Sequence, residues 1–159
     1  MQSSELRKKW EPYVGKFFLS FTAIEHTVTI TIDLLSEKKI SNTARTLLFD
    51  KRAELLTELF ENCERISELT KARYLNQLKS ATSLAKSVRN IIAHNHILME
   101  LYKNPNDERI YEKDYIFSSR NRNKKISFED IVVKSEETEV LAIELSETYL
   151  QILDEWWQK

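Results

Sequence analysis

The scarcity of glycine and proline constrains this chain more than any other sequence feature. Its 159 residues include one glycine, Gly15, and two prolines, Pro12 and Pro105. The tight turns of β-sandwiches and doubly wound sheets are built largely from these two residue types. We therefore expect long helices with few connections. A glycine-rich loop that cradles phosphate groups is excluded as well, because one isolated glycine cannot build it.

Length and composition indicate a single folded domain, residues 1–159, that can bury a substantial core. Apolar residues make up 42% of the chain and charged residues 31%, which is typical of soluble globular proteins. The formal net charge is −1 and the pI about 6.3. No global positive field therefore attracts nucleic acid, so a polyanionic partner has to be bound by a local cluster of basic residues.

Cysteine and hydropathy patterns narrow the compartment and the chemistry. Cys63 is the only cysteine, which excludes an intramolecular disulfide and a multi-cysteine zinc site. We expect neither a metal nor a cofactor. The most apolar window, residues 17–35, carries Glu25, His26 and Asp33, which argues against a membrane span. The start of the chain also lacks the pattern of a secretory signal. These features predict a cytoplasmic protein without membrane contacts.

Apolar residues recur at steps of three and four over most of the first 95 residues, which predicts amphipathic helices. The stretch TVTITI, residues 27–32, would by itself also permit a strand, but the helical spacing continues on both sides of it. Pro12 fits the first turn of the first helix, and Asp50 is a plausible N-cap of the third. The expected helices cover roughly 11–37, a short segment starting after Ser41 or Asn42, 50–66 and 67–95.

The pattern changes after residue 95. Short aromatic and β-branched segments, separated by the turn signal NPNDE, predict an antiparallel meander with strands near 96–103, 109–119 and 124–128. A last helix follows, its start marked roughly by Ser135. The fold class is therefore mainly α, a bundle of four to five helices with a small antiparallel β insert (about 97–128) before the C-terminal helix.

The candidate site is the stretch SVRNIIAHNHIL, residues 87–98, which places Arg89, Asn90 and His94 in an apolar helix end. Asn90 and His94 lie one turn apart, whereas Arg89 and His94 are about 140° apart around the helix. Arg89 and His94 converge if the arginine curls round, or a second molecule supplies the missing partner. Histidine exchanges protons near neutral pH, and arginine offers a planar set of donors to phosphate. Spacing alone leaves a structural interpretation open, in which these polar residues only cap and pair within a helical scaffold.

The segment RNIIAHN, Arg89 to Asn95, resembles the motif of HEPN (higher eukaryotes and prokaryotes nucleotide-binding) domains. That motif is an arginine, four to six residues and a histidine, usually with a polar residue directly after the arginine. HEPN domains are bundles of four or five helices with the motif near the end of a long helix. An early aromatic helix with a glutamate, here FFLSFTAIEHTV, and a small β insert before the last helix are also similar to members of the superfamily.

The resemblance implies a metal-independent endoribonuclease in a toxin–antitoxin, phage-defence or RNA-processing setting. It would act as a homodimer in which two motifs meet in one cleft, with an antitoxin or defence protein as a further partner. His94 would be the general base or acid, Arg89 would hold the scissile phosphate, and Asn90 would position either one. The alternative is a catalytically inactive HEPN-like module that binds nucleotides or another protein.

Other polar residues are candidates for supporting roles. Glu25 is expected either at the edge of the buried face or in a salt bridge that orients Arg89. His96 would assist at the site or lie on the surface at the start of a strand. It occupies the position at which some toxins of the superfamily carry a modifiable tyrosine, so regulation through that tyrosine is not expected here. The polar loop SSRNRNKK is either merely solvated or an RNA-binding patch. The basic residues of that patch are Arg120, Arg122, Lys124 and Lys125.

Overall fold

A computed structural model describes residues 2–103, 105–106, 109–121 and 123–158 of the chain. Of the described residues 72% are helical, and a three-stranded antiparallel sheet precedes the C-terminal helix, which confirms the predicted fold class. In chain order the elements are α1 (Gln2–Leu35), α2 (Ser41–Thr46), α3 (Phe49–Glu61), α4 (Glu68–Leu84), a π-helical turn (Ala85–Arg89), α5 (Asn90–His94), β1 (Ile97–Lys103), β2 (Ile110–Phe117), β3 (Lys125–Ser127) and α6 (Phe128–Gln158).

Helix α1 begins at Gln2, so the prediction of a start near residue 11 was wrong. Pro12 lies inside the helix and not in its first turn. The apolar stripe continues ahead of the proline, because Trp10 is fully buried and its ring meets the ring of Phe128 edge-on at 5.5 Å. Burial of this side chain in the tertiary structure outweighs the local preference of proline for a helix start.

The β-branched stretch at residues 27–32 is helical, as predicted. Thr27 and Thr31 donate their hydroxyl hydrogens to backbone carbonyls one turn earlier, at 3.0 and 2.7 Å. Threonine is tolerated in helices in this way, because its hydroxyl group bonds the preceding turn. Thr31 also forms a 2.8 Å hydrogen bond with the Tyr74 hydroxyl, which ties α1 to α4 inside the core.

Two long helices, α1 and α6, lie side by side and run in the same direction. Contacting pairs rise together in residue number along both: Trp10 with Phe128, Lys16 with Glu139, and Thr27 with Ser146. Helix α4 runs the opposite way along α6, because its first residues contact Glu155 near the end of α6. Among the described residues, the largest fully buried side chains are Trp10, Tyr74, Phe17, Phe21, Phe60, Ile24, Ile32, Leu56, Ile131, Leu145 and Ile152 of the helices and Ile116 of β2.

Helix α6 begins at Phe128, seven residues before the predicted start at Ser135. The Ser127 hydroxyl accepts a 3.0 Å hydrogen bond from the Asp130 backbone, and the Asp130 carboxylate accepts one of 3.0 Å from the Ser127 backbone. This reciprocal capping box satisfies two backbone donors at the helix start. Ser135 is fully buried within the helix and bonds the Val132 carbonyl, so it is not a cap.

Smaller differences concern α3 and the start of α4. Helix α3 begins at Phe49 and ends at Glu61, so it is shorter than the predicted 50–66, and Asp50 lies in its first turn. Ser67 is the N-cap of α4, because its hydroxyl accepts a hydrogen bond from the Thr70 backbone. That helix continues through the π-helical turn to His94, in agreement with the predicted helix over 67–95.

The β insert is a meander with strand order β1-β2-β3. Ile97 pairs with Ile116 and Tyr102 with Tyr111 between the first two strands, and Ile116 pairs with Ile126 across to β3. Ile116 and Ile126 are buried against the bundle. The sheet therefore packs on the helices through its β2 and β3 side.

The segment Ser4–Leu35 in α1 is long and apolar enough to cross a membrane, by length and composition only. The core helix of a soluble protein passes the same test. In this chain Phe17, Ile24 and Ile32 of the segment are fully buried in the bundle.

Candidate functional site

The motif residues lie in the continuous helix formed by α4, the π-helical turn and α5, which is called the fourth helix here. They occupy its C-terminal part, where the π-helical turn is followed by α5. Arg89 is the last residue of the π-helical turn, Asn90 is the first residue of α5, and His94 is its last. A π turn contains one residue more than an α turn, and such turns often occur at functional sites. The helix ends directly after His94, because the Asn95 backbone is extended. The side chain of Asn95 then bonds the Ile91 carbonyl at 2.7 Å.

These residues line a concave cleft of about 760 Å³, named here the Arg89 cleft. Its walls come from α1, from the start of α3 with the link before it, from the end of the fourth helix, and from the loop that follows β2. The sequence-predicted residues that the structure brings together on this cleft are Glu25, Arg89, Asn90, His94, Arg120 and Lys124.

Within the cleft, Arg89 and Asn90 contact each other. An Arg89 guanidinium nitrogen donates a 3.3 Å hydrogen bond to the Asn90 side-chain oxygen. Arg89 is half-buried, whereas Asn90 and His94 are exposed. Both the guanidinium group and the imidazole ring can therefore be reached by a ligand. Asn90 restrains the direction in which Arg89 points.

Of the two roles expected for Glu25, the structure agrees with a half-buried position at the edge of the buried face, whereas the alternative of a salt bridge that orients Arg89 is wrong. Its carboxylate pairs with Arg52 of α3 at 3.5 Å. Arg52 also donates a 3.0 Å hydrogen bond to the Thr29 hydroxyl, while its Nε atom is buried without a partner. The three side chains connect α1 to α3 at the wall of the cleft. Sequence reasoning missed Arg52, because it lies in an ordinary charged helix start, DKRAELL, with no distinguishing signal.

The cleft is more basic than the protein as a whole. Besides His94, five basic and two acidic residues line it. The basic residues are Arg52, Lys86, Arg89, Arg120 and Lys124, and the acidic residues are Glu25 and Asp50. The entire chain carries a formal charge of −1. A local excess of positive charge in a concave site focuses the field on an anionic ligand. Lys86, one helical turn before Asn90, was not singled out from the sequence.

The side chain of Asn95 connects α5 to the loop between β2 and β3, which carries Arg120 and Lys124 and is called the basic loop here. The Asn95 side-chain oxygen accepts a 2.7 Å hydrogen bond from the Ser119 backbone, while its nitrogen bonds α5. Within the loop, the Lys124 backbone bonds the Asn121 carbonyl and the Ser118 backbone bonds the Lys124 carbonyl, each at 2.9 Å. Arg120 and Lys124 are thereby held on the same cleft as His94. The sequence showed Asn95 next to the motif, but its role depends on a loop 24 residues away.

Two other predicted site residues, His96 and Lys125, do not line this cleft. His96 is exposed between α5 and β1 and is not among the lining residues. Lys125 belongs to the sheet, where its ammonium group lies 3.6 Å from Glu100 and 4.0 Å from the centre of the Tyr115 ring. Arg122 lies outside the described residues.

Among the residues that the structure describes, no group of three or more His, Cys, Asp or Glu side chains is arranged to hold a metal ion. Comparison of the chain with protein-family models, with curated proteins and with solved structures gives no match. Any functional conclusion therefore depends on the residues of the cleft and on their chemistry.

Proposed function

We propose that the protein is a metal-independent endoribonuclease of the HEPN type, with the Arg89 cleft as its active site. The observation that carries the proposal is that Arg89, Asn90 and His94 line one basic cleft in a protein whose net charge is close to zero. The resemblance of RNIIAH to the HEPN motif supplies the reaction class. The accessible imidazole ring and guanidinium group fit that class.

The reaction is an internal transesterification of RNA. His94 accepts the proton of a ribose 2′-hydroxyl, the 2′-oxygen forms a bond to phosphorus, and the bond from phosphorus to the 5′-oxygen breaks. The departing 5′-oxygen takes a proton from an acid. The products are a 2′,3′-cyclic phosphate and a 5′-hydroxyl, so electrons and protons balance without a redox partner or a metal.

Arg89 stabilises the charge that develops on the phosphate oxygens. A guanidinium group donates two parallel hydrogen bonds to a phosphate group and stays charged at every relevant pH. Such preorganised donors stabilise the transition state most when they are already directed at the reacting group. The hydrogen bond from Arg89 to Asn90 provides part of this preorganisation.

A second copy of the chain completes the site. The reaction needs a base and an acid in the same turnover, and each cleft contains one histidine, His94. Two protomers that bring their clefts together would supply both groups, with one His94 deprotonated and the other protonated. The proposed active species is therefore a homodimer. An antitoxin or another defence protein is the further partner that the resemblance suggests.

The basic loop guides the substrate towards the motif. Arg120 and Lys124 of the loop line the cleft, and so does Lys86, which lies in the same π-helical turn as Arg89. Cations along a groove bind successive phosphates of single-stranded RNA and release counterions, so affinity falls as the salt concentration rises. We place the protein in the cytoplasm, where RNA is available and where the single free thiol of Cys63 stays reduced.

A cleavage assay in EDTA tests the proposal. A labelled single-stranded RNA is incubated with the wild-type chain and with His94→Ala, and fragments are analysed for a 2′,3′-cyclic phosphate end. We expect wild-type cleavage in EDTA and a loss of at least about 10²–10⁴-fold in His94→Ala, since that is the usual contribution of one general acid or base and the substitution removes both from the dimer. Arg89→Ala is expected to lose activity as well.

His96→Ala is the matched control. His96 is also exposed and lies two residues from His94, but it does not line the cleft. Its substitution should leave the cleavage rate within about twofold, since it removes no transition-state contact. Cleavage that persists in His94→Ala, or that is lost equally in His96→Ala, would contradict the assignment. Tight RNA binding without cleavage would instead support the inactive, nucleotide-binding alternative.

A further inference from the structure

The solvent face of α6 carries a second feature that the cleft does not use. Five apolar side chains on this helix are each more than half exposed: Val133, Val140, Ile143, Leu150 and Trp157. Isolated exposed apolar residues are common, but an aligned set on one helix is typical of an interaction surface. None of the residues that line the Arg89 cleft belongs to α6.

The spacing of these residues is that of a coiled-coil face. Val133 and Val140 are seven residues apart, and Ile143, Leu150 and Trp157 follow one another at steps of seven, offset by three. The two series alternate at three and four residues, which is the a and d pattern that packs one helix along another.

Three acidic residues occupy the remaining positions of the same pattern. Glu147 and Asp154 continue the series of Val133 and Val140, and Glu136 begins the series of Ile143. All three are exposed, and the salt bridges found in the described part of the chain involve none of them. We call the five apolar and three acidic residues together the α6 seam.

The acidic positions argue against pairing of the seam with a second copy of itself. In a parallel pair each position faces its own counterpart, so Glu147 would meet Glu147 and Asp154 would meet Asp154. In the antiparallel register that pairs Val140 with Leu150, Glu136 lies opposite Asp154. Both arrangements place like charges together in the contact, which is destabilising.

We propose that the α6 seam binds a helix of a different protein, whose contacting face alternates apolar residues with lysine or arginine. The apolar side chains would cover the exposed valine, isoleucine, leucine and tryptophan residues. The cations would neutralise Glu136, Glu147 and Asp154. Because the seam shares no residue with the cleft, this partner leaves the proposed active site open. It acts as a recruiting or scaffolding partner and does not block the substrate.

A pair of synthetic helical peptides tests the seam on the full chain. Both are fluorescein-labelled and four heptads long, with leucine opposite the apolar seam positions. One carries lysine opposite Glu136, Glu147 and Asp154, and the other carries glutamate there. Fluorescence anisotropy should give at least about tenfold tighter binding of the lysine peptide at low salt, from opposite- against like-charge contacts. Equal affinities, or no binding of the lysine peptide, would overturn the proposal.

Two substitutions locate the binding surface. Ile143→Asp should weaken binding of the lysine peptide at least about tenfold, because it puts a charge in the centre of the contact. Leu101→Asp is the matched control, since Leu101 is 61% exposed on β1 and Ile143 is 56% exposed on α6. Undiminished binding to Ile143→Asp, or equal losses in both variants, would exclude the seam. Circular dichroism checks that both variants are folded.

Sedimentation velocity of the same variants examines self-association. A dimer that Ile143→Asp dissociates and Leu101→Asp leaves intact would show that the seam binds a second copy, and the proposal would be wrong. RNA cleavage by Ile143→Asp should equal that of the wild type. The inference does not depend on the proposed nuclease, because peptide binding is measured without RNA and an inactive cleft would leave it unchanged.

Discussion

Two sets of polar side chains on the long helices differ in how their hydrogen bonds are satisfied. In the core, Thr31 and Tyr74 are fully buried, and each hydroxyl finds a partner within the bundle. At the cleft, Asn90 and His94 are exposed, and Arg89 donates a 3.3 Å hydrogen bond to the Asn90 side chain. Buried polar groups are paired because an unpaired one is costly. Groups left accessible in a concave, charged site can instead bind a ligand.

The core and the Arg89 cleft also differ in the charge of their polar groups. The core pair Thr31 and Tyr74 consists of two neutral hydroxyls, and burial raises the pKa of the Tyr74 hydroxyl well above its ordinary value of 10.0. The cleft holds several cations in water, close to one another. Like charges held together oppose folding slightly, but they strengthen the binding of a polyanion. The core therefore provides stability, and the cleft is the region suited to function.

Truncation of a core aromatic residue gives the largest effect on stability. Phe17→Ala should lower the free energy of unfolding by about 3–5 kcal/mol, because it removes a fully buried ring from between α1 and its neighbours. Leu19→Ala, on the same helix but 76% exposed, should change it by less than about 0.5 kcal/mol. Urea unfolding followed by circular dichroism measures both. Similar losses in the two variants would mean that α1 is buried in another way.

Neutralisation of the basic loop should weaken RNA binding without affecting stability. In a His94→Ala background, which prevents cutting, Arg120→Gln combined with Lys124→Gln removes two cations from the cleft wall. The slope of log affinity against log salt should become less steep by about 0.7 for each lost phosphate contact to single-stranded RNA. Affinity is measured by anisotropy over a salt series.

Lys125→Gln is the control for that experiment. Lys125 lies next to Lys124 in sequence but is engaged with Glu100 and the Tyr115 ring on the sheet. We expect its removal to leave the salt slope unchanged. An equal decrease for Lys125→Gln would indicate that the net charge of the protein, and not the cleft, determines RNA affinity.

The smallest effect concerns the Thr31–Tyr74 hydrogen bond and the stability of the protein at high pH. Burial raises the pKa of Tyr74 in the folded state above the value of 10.0 that it has when unfolded. The neutral tyrosine therefore contributes stability fully below pH 10.0 and loses that contribution as pH rises further. Tyr74→Phe should cost about 0.5–1.5 kcal/mol at neutral pH, from the lost hydrogen bond. It should also make the alkaline loss of stability less steep.

Urea unfolding at several pH values between neutral and alkaline measures that dependence. Tyr102→Phe is the control, because Tyr102 is an exposed tyrosine of the sheet and its ring contact with Tyr111 is retained in phenylalanine. It should follow the wild-type curve. A Tyr74→Phe curve parallel to that of the wild type would show that the buried hydroxyl does not contribute to alkaline unfolding.

The element types were predictable because their signals are local. Scarce glycine and proline, apolar steps of three and four, and the turn signal before β2 predicted the helices and the meander correctly. Helix ends were less predictable. Pro12 suggested a start that the burial of Trp10 overrides, and the capping box of Ser127 and Asp130 was overlooked in favour of Ser135. Both errors occur where a tertiary contact or a short reciprocal cap decides the boundary.

The residues of the candidate site also fall into two groups, those that the sequence could predict and those that it could not. Arg89, Asn90 and His94 could be found from their order in the chain, because the motif lies within one helix. The assignment of a ribonuclease to them stays a prediction. Arg52 and the anchoring role of Asn95 could not be found, since they depend on contacts between elements 24 or more residues apart. The π-helical turn that carries Arg89 had no signal in the residue pattern.

The sequence by itself determined that this chain forms long helices with a small β insert and that one helix end carries an arginine, an asparagine and a histidine. Helical periodicity and residue chemistry act over a few neighbouring residues, so both can be read without the fold. Only the tertiary structure decided that Glu25 pairs with Arg52 and that the loop with Arg120 and Lys124 lines the Arg89 cleft. Those contacts join distant segments, and packing of the whole bundle sets which segments meet.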